Sequence, residues 1–338
     1  MSTQSLPHQY VDRDTGMVTT EKLIADPIIN RLYASVREDA ALLFRIATSR
    51  RMSAVLGFLN FDLKLGRNGR GHRRRIRSMG IDIEECLDAP ASLDTARKLF
   101  ERKIRYWQCR PMPAAEDRIV SPADARMIVG SLDRYDSLFL KEKFFTFEEL
   151  LGENKNRWLE AFAGGDFAIF RLTPDKYHYN HLPVSGRIAD IYTIDGCCHS
   201  CNPGAVVAMV TPFSKNRRVV TIIDTDVPGG TRIGLVAMVE VVAMMIGDII
   251  QCYSQRAYDD PITLSRGMFV ERGCPKSLYR PGSSVDVLIF QKDRVAFSVD
   301  ILTNMQRRDV ASRYTHRFQV PLVETDVKVR SEIGRKGQ

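Results

Sequence analysis

The sequence lacks the features that mark secreted, membrane-spanning and nucleotide-binding proteins. Its first residues, MSTQSLPHQYVDRDTG, contain no charged segment followed by an apolar one, so we expect no signal peptide. Its seven cysteines are odd in number and irregularly spaced, which argues against a disulfide framework and favours a reducing compartment. The sequence contains no P-loop, and the glycines of GRNGRG stand in the wrong order for a dinucleotide fingerprint.

One apolar stretch, IGLVAMVEVVAMMIGDII at residues 233–250, is the best candidate for a membrane span, but it barely reaches the required length. Glu240 lies in its middle and Asp248 near its end, and a span would have to accommodate both acids. Its valine and isoleucine content is typical of buried strands. We therefore expect a cytoplasmic protein that is soluble or peripherally associated with a membrane.

The composition indicates a folded protein with an anionic partner. The chain has 338 residues, is 44% hydrophobic and carries a net charge of +8. Six arginines cluster in the segment GRNGRGHRRRIRSMG, which is either a solvated loop or a patch for anionic phospholipid headgroups. The segment lacks interleaved aromatic residues, so we do not expect it to bind nucleic acid. The six are Arg67, Arg70, Arg73, Arg74, Arg75 and Arg77.

The chain divides into two regions of different periodicity near residue 115. Apolar residues in the region 1–115 recur at threes and fours, which predicts helices. Short β-branched runs separated by Gly and Pro fill the region 116–338, which predicts a mainly antiparallel β domain. The predicted fold class is α+β, with a helical N-terminal region packed on a mainly antiparallel β catalytic domain. The strand-like runs include RIVSPADARMIVG, DFAIFRLTP, RIADIYTI, AVVAMVTPF, RRVVTIIDTDVPGG, RIGLVAMVEVVAMM, SVDVLIF and RVAFSVDIL.

Three short segments carry residues suited to nucleophilic catalysis. Asp124 follows a proline turn, His178 and His181 are three residues apart, and Ser283 follows Pro281-Gly282. An Asp, a His and a Ser could act as orienting group, base and nucleophile. Each also has a simpler explanation, as a turn residue, a hydrogen-bonded core histidine or a turn hydroxyl. The thiol-rich CCHSC at 197–201 lacks the second ligand pair of a structural zinc site, so we expect no metal there.

The order of these segments resembles the phosphatidylserine decarboxylase family of pyruvoyl-dependent enzymes. The resemblance covers most of the chain, from about Tyr10 to Phe290, and its blocks stand in the order typical of the family. The blocks are VSPADARMIVG, FLKEKFFTFEELLG, FAIFRLTPDKYHYNHLPVSGRI, KNRRVV, VAMVEVVAMMIGDIIQCYS and RPGSSVDVLIF.

The resemblance implies a proenzyme that cuts its own chain between Gly282 and Ser283. It implies a triad of Asp124, His181 and Ser283 for this step, and a role for His178 in decarboxylation. Ser283 would become a covalent pyruvoyl group, so neither pyridoxal phosphate nor a metal is expected. The implied reaction converts phosphatidylserine to phosphatidylethanolamine and CO2 at an anionic phospholipid surface, and we expect a homodimer of processed chains.

The sequence also departs from the family pattern near the cleavage site. Ala125 stands where the family usually has Gly, and Pro275 and Ser277 replace a usual Glu and Gly. These departures leave the triad intact but keep two alternatives open. One is a pyruvoyl-dependent decarboxylase of a soluble amino acid or of another serine phospholipid. The other is an uncleaved lipid-binding homologue.

Overall fold

The computed structural model describes residues 6–23, 76, 80–133, 144–208, 211–243, 248–281 and 284–337. Most of the segment predicted to be helical, the whole arginine cluster, and both Gly282 and Ser283 lie outside these ranges.

The described residues form sixteen strands and eight α-helices. The strands are β1 (Gln9–Asp12), β2 (Val18–Thr20), β3 (Arg118–Val120), β4 (Ala125–Ser131), β5 (Asp166–Leu172), β6 (Tyr179–His181), β7 (Gly186–Ile194), β8 (Arg218–Asp224), β9 (Leu235–Val242), β10 (Ile249–Gln251), β11 (Phe269–Val270), β12 (Pro275–Tyr279), β13 (Ser284–Phe290), β14 (Val295–Phe297), β15 (Glu324–Val327) and β16 (Glu332–Lys336). The helices are α1 (Ala96–Phe100), α2 (Tyr106–Cys109), α3 (Phe147–Leu151), α4 (Asn156–Phe162), α5 (Pro203–Ala208), α6 (Pro212–Lys215), α7 (Val299–Met305) and α8 (Arg313–Phe318).

A ten-stranded sheet with the order β11-β7-β8-β9-β13-β5-β4-β15-β1-β2 forms the centre of the protein. Its strand pairs are antiparallel except for β1 beside β15. Two three-stranded sheets, β10-β12-β6 and β14-β16-β3, complete the β structure. The predicted α+β class with a mainly antiparallel sheet is therefore confirmed.

Both faces of the large sheet are buried by apolar side chains. Along β13, Val285, Val287 and Ile289 belong to one hydrophobic cluster, and Leu288 and Phe290 belong to another. This alternation follows from the two-residue period of a strand. The stretch considered as a membrane span contains β9, whose residues are almost all buried. None of the helices in the described ranges is long and apolar enough to cross a membrane.

Two predicted strands are wrong in part, and one part of the N-terminal region is not helical. In AVVAMVTPF, residues 205–208 belong to α5 and residues 212–213 to α6 instead of a strand. Pro203 stands at the start of α5, and Asn202 accepts a hydrogen bond from the Gly204 amide, so helix-start signals outweigh the valines. RVAFSVDIL is a strand only to residue 297, because α7 begins after Ser298. At the N-terminus, β1 and β2 extend the large sheet.

Candidate functional site

The link that contains Gly282 and Ser283 joins two different sheets. It follows β12, which pairs with β6 and β10, and precedes β13, which lies in the large sheet. On one side, the Tyr279 amide donates to the His178 carbonyl at 3.0 Å and the Arg280 amide donates to the Asp248 carbonyl at 3.1 Å. On the other side, Ser284 is in register with Leu172 and Val242. The ends of the link are therefore held by separate sheets.

His178 is the predicted catalytic histidine that the structure places beside this link. Its ring is fully buried and stacks on Phe100, with 3.5 Å between the ring centroids. Neither ring nitrogen has a hydrogen-bond partner among the described residues. Burial, reinforced by the charge of Arg102, holds the pKa of His178 well below its ordinary value. The imidazole is therefore neutral, with a nitrogen free to accept a proton.

His181 lies at the opposite end of the pairing between β6 and β12. It is in register with Pro275, whereas the His178 carbonyl binds Tyr279, and the three residues from His178 to His181 span about 10 Å at the rise of a strand. Its Nδ1 is 2.8 Å from the Gly273 carbonyl oxygen and its Nε2 is 3.0 Å from the Tyr177 hydroxyl oxygen. Burial lowers the pKa of His181 to about 3.

Asp124 binds Arg110, which the sequence interpretation did not include. Arg110 donates from Nε to one carboxylate oxygen at 2.9 Å and from Nη2 to the other at 2.7 Å, and the Val329 amide donates at 2.8 Å. Burial alone would raise the pKa of Asp124, but the charge and hydrogen bonds of Arg110 hold it below its ordinary value. Arg110 also binds Glu85 through two hydrogen bonds, of 2.7 and 2.9 Å.

The expected hydrogen bond between Asp124 and His181 is thus not among the contacts of these two described side chains. A guanidinium fork matches a carboxylate in charge and geometry better than a neutral imidazole does. The two residues still lie on adjacent segments, because the His181 amide donates to the Pro122 carbonyl at 2.7 Å. The segment ARKLFERKIRYWQCRPMP contains Arg110, and it matches the family pattern only loosely. Nothing in its spacing pointed to Asp124 as the partner.

A buried polar layer lies between the small sheet and the large sheet, next to the link. Glu240 of β9 accepts from Lys276 of β12 at 2.5 Å, from Asn180 of β6 at 3.2 Å, and from Ser277. Gln251 of β10 contacts both Lys276 and Glu240, at 3.0 and 3.1 Å. Glu240 and Lys276 are completely buried. An ion pair of this kind fixes how β12 packs on β9.

Asp286 belongs to the same layer, but its surroundings favour the neutral carboxyl group over the carboxylate. The Tyr279 hydroxyl donates to Oδ1 at 2.7 Å, and Oδ2 has no partner among the described residues. Asp286 faces Glu240 in register across the sheet. Burial and the negative charge of Glu240 raise the pKa of Asp286 well above its ordinary value, which favours its protonated form. Sequence patterning missed it because it stands in an apolar strand.

The thiol-rich segment CCHSC also lies against the start of β13. The Cys201 thiol is 3.8 Å from the Ser284 carbonyl oxygen, and both residues are buried. The segment therefore contacts the residue that follows Ser283 in the chain.

One group of possible metal ligands comes together in the described ranges, around Arg171 of β5, which is in register with Val285 of β13. His8, Glu21 and Glu324 place their ligand atoms within 4.8 Å of one another. The Arg171 guanidinium already pairs with both carboxylates, at 2.7 and 2.5 Å. The Arg171 guanidinium therefore already supplies a positive charge to this group, and its ion pairs join the N-terminal strands to β5 and β15.

Comparisons with known proteins agree with the order of the sequence blocks. A family model described as phosphatidylserine decarboxylase matches residues 96–313. The phosphatidylserine decarboxylase proenzyme of Fusobacterium nucleatum is 27% identical over 301 residues, 89% of this chain and 93% of that protein. The proenzyme of Chlamydia trachomatis is 30% identical over 294 residues, 87% of this chain and 90% of that protein.

A longer relative contains a similar region. Phosphatidylserine decarboxylase proenzyme 2 of Oryza sativa is 31% identical over 231 residues, which cover 67% of this chain and 34% of that protein. The match to the family model and the near full-length similarity to the bacterial proenzymes identify the family. The chain belongs to the phosphatidylserine decarboxylase family.

Proposed function

We propose that this protein is a proenzyme that cleaves itself between Gly282 and Ser283 and then decarboxylates phosphatidylserine to phosphatidylethanolamine and CO2. The observation that carries the proposal is the position of the link 280–283. It connects two sheets, each of which anchors one end, so cutting it removes no strand pairing. Family membership supplies the reaction, since the relatives are named phosphatidylserine decarboxylase proenzymes.

The surroundings of residue 283 fit a pyruvoyl group. Three nearby residues, each buried, keep polar atoms that have no hydrogen-bond partner in the described part of the chain and that can carry a proton to donate to a small carbonyl-bearing group. The atoms are the ring nitrogens of His178, Ser284 Oγ and Asp286 Oδ2. Formed from Ser283, a pyruvoyl group would supply the electron sink that amine decarboxylation requires.

The self-cleavage step needs a base for the Ser283 hydroxyl, and we assign His181 to it on the family resemblance. Both of its ring nitrogens have partners among the described residues, so Nε2 can take up the proton only by giving up or reversing its contact with Tyr177. The neutral ring can accept a proton, which allows the serine oxygen to attack the Gly282 carbonyl carbon and displace the Ser283 nitrogen. Gly282 has no Cβ, so the attacked carbonyl is sterically open. Asp124, held by Arg110, would act on His181 through its negative charge across adjacent segments.

We assign His178 to the decarboxylation of the substrate. Its backbone contact with Tyr279 of β12 supports this role, because Tyr279 is only four residues from Ser283 along the chain. The neutral imidazole can accept a proton from the substrate ammonium group and return it to the α-carbon when CO2 leaves. The apolar contact with Phe100 keeps water away from this nitrogen and favours loss of the substrate's carboxylate charge.

We further propose that the enzyme meets its lipid at an anionic membrane surface, as a peripheral cytoplasmic protein and a homodimer of processed chains. The net charge of +8 supports attraction to acidic lipid headgroups. The arginine cluster at residues 67–77 is the part of the sequence best suited to that contact.

Denaturing mass spectrometry of the purified protein tests the proposal. We expect two fragments, 1–282 and 283–338, the second one ammonia lighter than a peptide that starts with Ser. Ser283→Ala and His181→Ala should each leave one intact chain, whereas His178→Ala should be cleaved but inactive. Cleavage in His181→Ala with an intact His178→Ala chain would exchange the two histidine roles. An intact wild-type chain on phosphatidylserine vesicles would refute self-processing.

The same preparation tests the substrate. Vesicles of phosphatidylserine should release CO2 and accumulate phosphatidylethanolamine, while free serine should release none. Turnover of free serine, or of another soluble amino acid, together with no turnover of the lipid would overturn the assignment of phosphatidylserine.

A further inference from the structure

A chain of buried hydrogen bonds leads from His181 through two tyrosines to a backbone carbonyl. His181 Nε2 is 3.0 Å from the Tyr177 hydroxyl oxygen, which is 2.7 Å from the Tyr258 hydroxyl oxygen. The Tyr258 hydroxyl is 2.8 Å from the Ile104 carbonyl oxygen and accepts from the Ile104 amide at 3.1 Å. The other ring nitrogen, Nδ1, is 2.8 Å from the Gly273 carbonyl oxygen.

The partners at the two ends of this chain fix the direction of the hydrogen bonds. A carbonyl oxygen can only accept, so Nδ1 of His181 must carry a proton to bind Gly273. Likewise, the Tyr258 hydroxyl must donate to Ile104. Since Tyr258 has only one hydroxyl proton, it must accept from Tyr177, and the Tyr177 proton is then committed to Tyr258.

A proton count shows which state of His181 completes the chain. Three contacts separate Nε2 from Ile104, and a neutral ring with its proton on Nδ1 leaves only the two tyrosine protons to fill them. A doubly protonated ring supplies the third proton on Nε2. Every donor and acceptor is then matched, with His181 donating to Tyr177, Tyr177 to Tyr258 and Tyr258 to Ile104.

We propose that Tyr177 and Tyr258 are positioning residues that complete the hydrogen bonds of His181 after it has accepted a proton. The inference rests on the proposed function, in which His181 takes the proton of Ser283. Tyr177, supported by Tyr258, is thereby the direct partner that we expected Asp124 to be for this histidine, and Asp124 binds Arg110 instead.

The other groups around the ring make such support necessary. Burial holds His181 neutral at rest, and the charges of Arg330 and Arg110 further disfavour its protonation, while only Asp124 among the nearby charges favours it. Tyr106 contacts the ring edge-on, at 4.7 Å between centroids, and offers no hydrogen bond to it. Arg330 lies over the face of Tyr106, at 4.9 Å from the ring centroid. A proton on His181 therefore depends on the tyrosine chain for a hydrogen-bond acceptor.

Tyr177→Phe and Tyr258→Phe test the inference, because each removes one hydroxyl and keeps the ring. Tyr192→Phe is the matched control, since its hydroxyl donates to the Leu151 carbonyl at 2.7 Å in another part of the protein. Cleavage would be followed as fragment appearance during cell-free synthesis. We expect Tyr177→Phe to slow it about ten-fold, Tyr258→Phe less, and Tyr192→Phe less than about two-fold.

A spectroscopic measurement separates this role from a loss of packing. In uncleavable Ser283→Ala protein with ¹⁵N-labelled histidine, the Nε2 signal of His181 should change to that of a protonated nitrogen at a lower pH once Tyr177→Phe is added, because the protonated ring then lacks its acceptor. Tyr192→Phe should leave this pH unchanged. If Tyr177→Phe does not fold, Tyr258→Phe carries the same test through its smaller rate loss.

The outcomes are distinguishable from those of the proposed function. Wild-type cleavage with unchanged rates in both tyrosine variants would overturn the inference and leave self-processing intact. An unchanged pH dependence of the Nε2 signal in Tyr177→Phe would also overturn it. A wild-type chain that never cleaves would refute the proposed function, and the ring signal would still report whether the tyrosine contact exists.

Discussion

Single buried carboxyl groups in this protein have pKa values shifted in opposite directions because their neighbours differ. Arg110 lowers the pKa of Asp124 and Arg171 lowers that of Glu324, which outweighs the effect of burial in each case. Asp286 has only Tyr279 as a donor among the described residues and faces the negative charge of Glu240, so its pKa is raised. The residue types were visible in the sequence, but the pKa shifts follow from partners that lie far away along the chain.

Asp286 should lower the stability of the protein at neutral pH, and Asp286→Asn should remove that loss. The folded-state pKa is raised above the unfolded value near about 3.9, so stability falls as pH rises from there through the folded pKa. Asn keeps an oxygen for the Tyr279 hydroxyl and has no proton to lose. We expect Asp286→Asn to be more stable by about 1 kcal/mol or more at pH 7 and equal to wild type below pH of about 4.

Urea unfolding at several pH values checks this prediction. It is best done in the Ser283→Ala background, where the protein remains one chain. A stability difference that does not change with pH would mean that Asp286 is not the titrating group.

The two predicted histidines illustrate what sequence can locate and what it cannot. The motif put His178 and His181 three residues apart, and in the structure β6 begins directly after His178 and ends at His181. Their separate surroundings could not be predicted, because Phe100, Tyr258 and Gly273 come from segments with no sequence relation to the motif. The same limit hid Arg110 from Asp124. Motif residues can be read from a sequence, whereas their hydrogen-bond partners depend on the folded chain.

Strands were predicted more reliably than the short helices that interrupt them. β-branched runs such as β8 and β13, most of whose residues are buried, match their predicted positions. The failures lie at α5, where Asn202 and Pro203 favour a helix start over the β propensity of valine, and at α7, which begins after Ser298. The boundary between two regions near residue 115 stays a prediction.

The packing of β12 on β9 should depend on the ion pair between Lys276 and Glu240. Lys276→Met leaves a buried carboxylate without its cation, and we expect a loss of about 3 kcal/mol in the free energy of unfolding. Adding Glu240→Gln removes the unpaired charge and keeps acceptors for Ser277 and Asn180. The double variant should therefore recover most of the loss. A double-mutant cycle in Ser283→Ala protein measures this, and losses that simply add would contradict the coupling.

The whole molecule is built so that the segment after the proposed cut cannot leave it. β13 pairs with β5 and β9 over seven residue pairs on each side. β15 lies between β4 and β1, and β16 pairs with β3 in another sheet. These strands are integral to two sheets, and the charged group of His8, Glu21, Arg171 and Glu324 adds a further connection.

Processed protein should therefore behave as one particle until it is denatured. We expect the fragments 1–282 and 283–338 to elute together from a sizing column in buffer and to separate in strong denaturant. Elution of the small fragment alone in buffer would contradict the pairing of β13 and β15 described above.

The position of β13 also determines how the processed protein can be lost. An intact chain brings β13 between its two neighbours as part of the same polymer, so folding is a unimolecular event. After the cut, the same strand would have to return as a separate molecule, and the effective concentration that the link provided is gone. The lifetime of the enzyme is then governed by its rate of unfolding, because a processed molecule that unfolds cannot refold in the way that the uncut precursor folded.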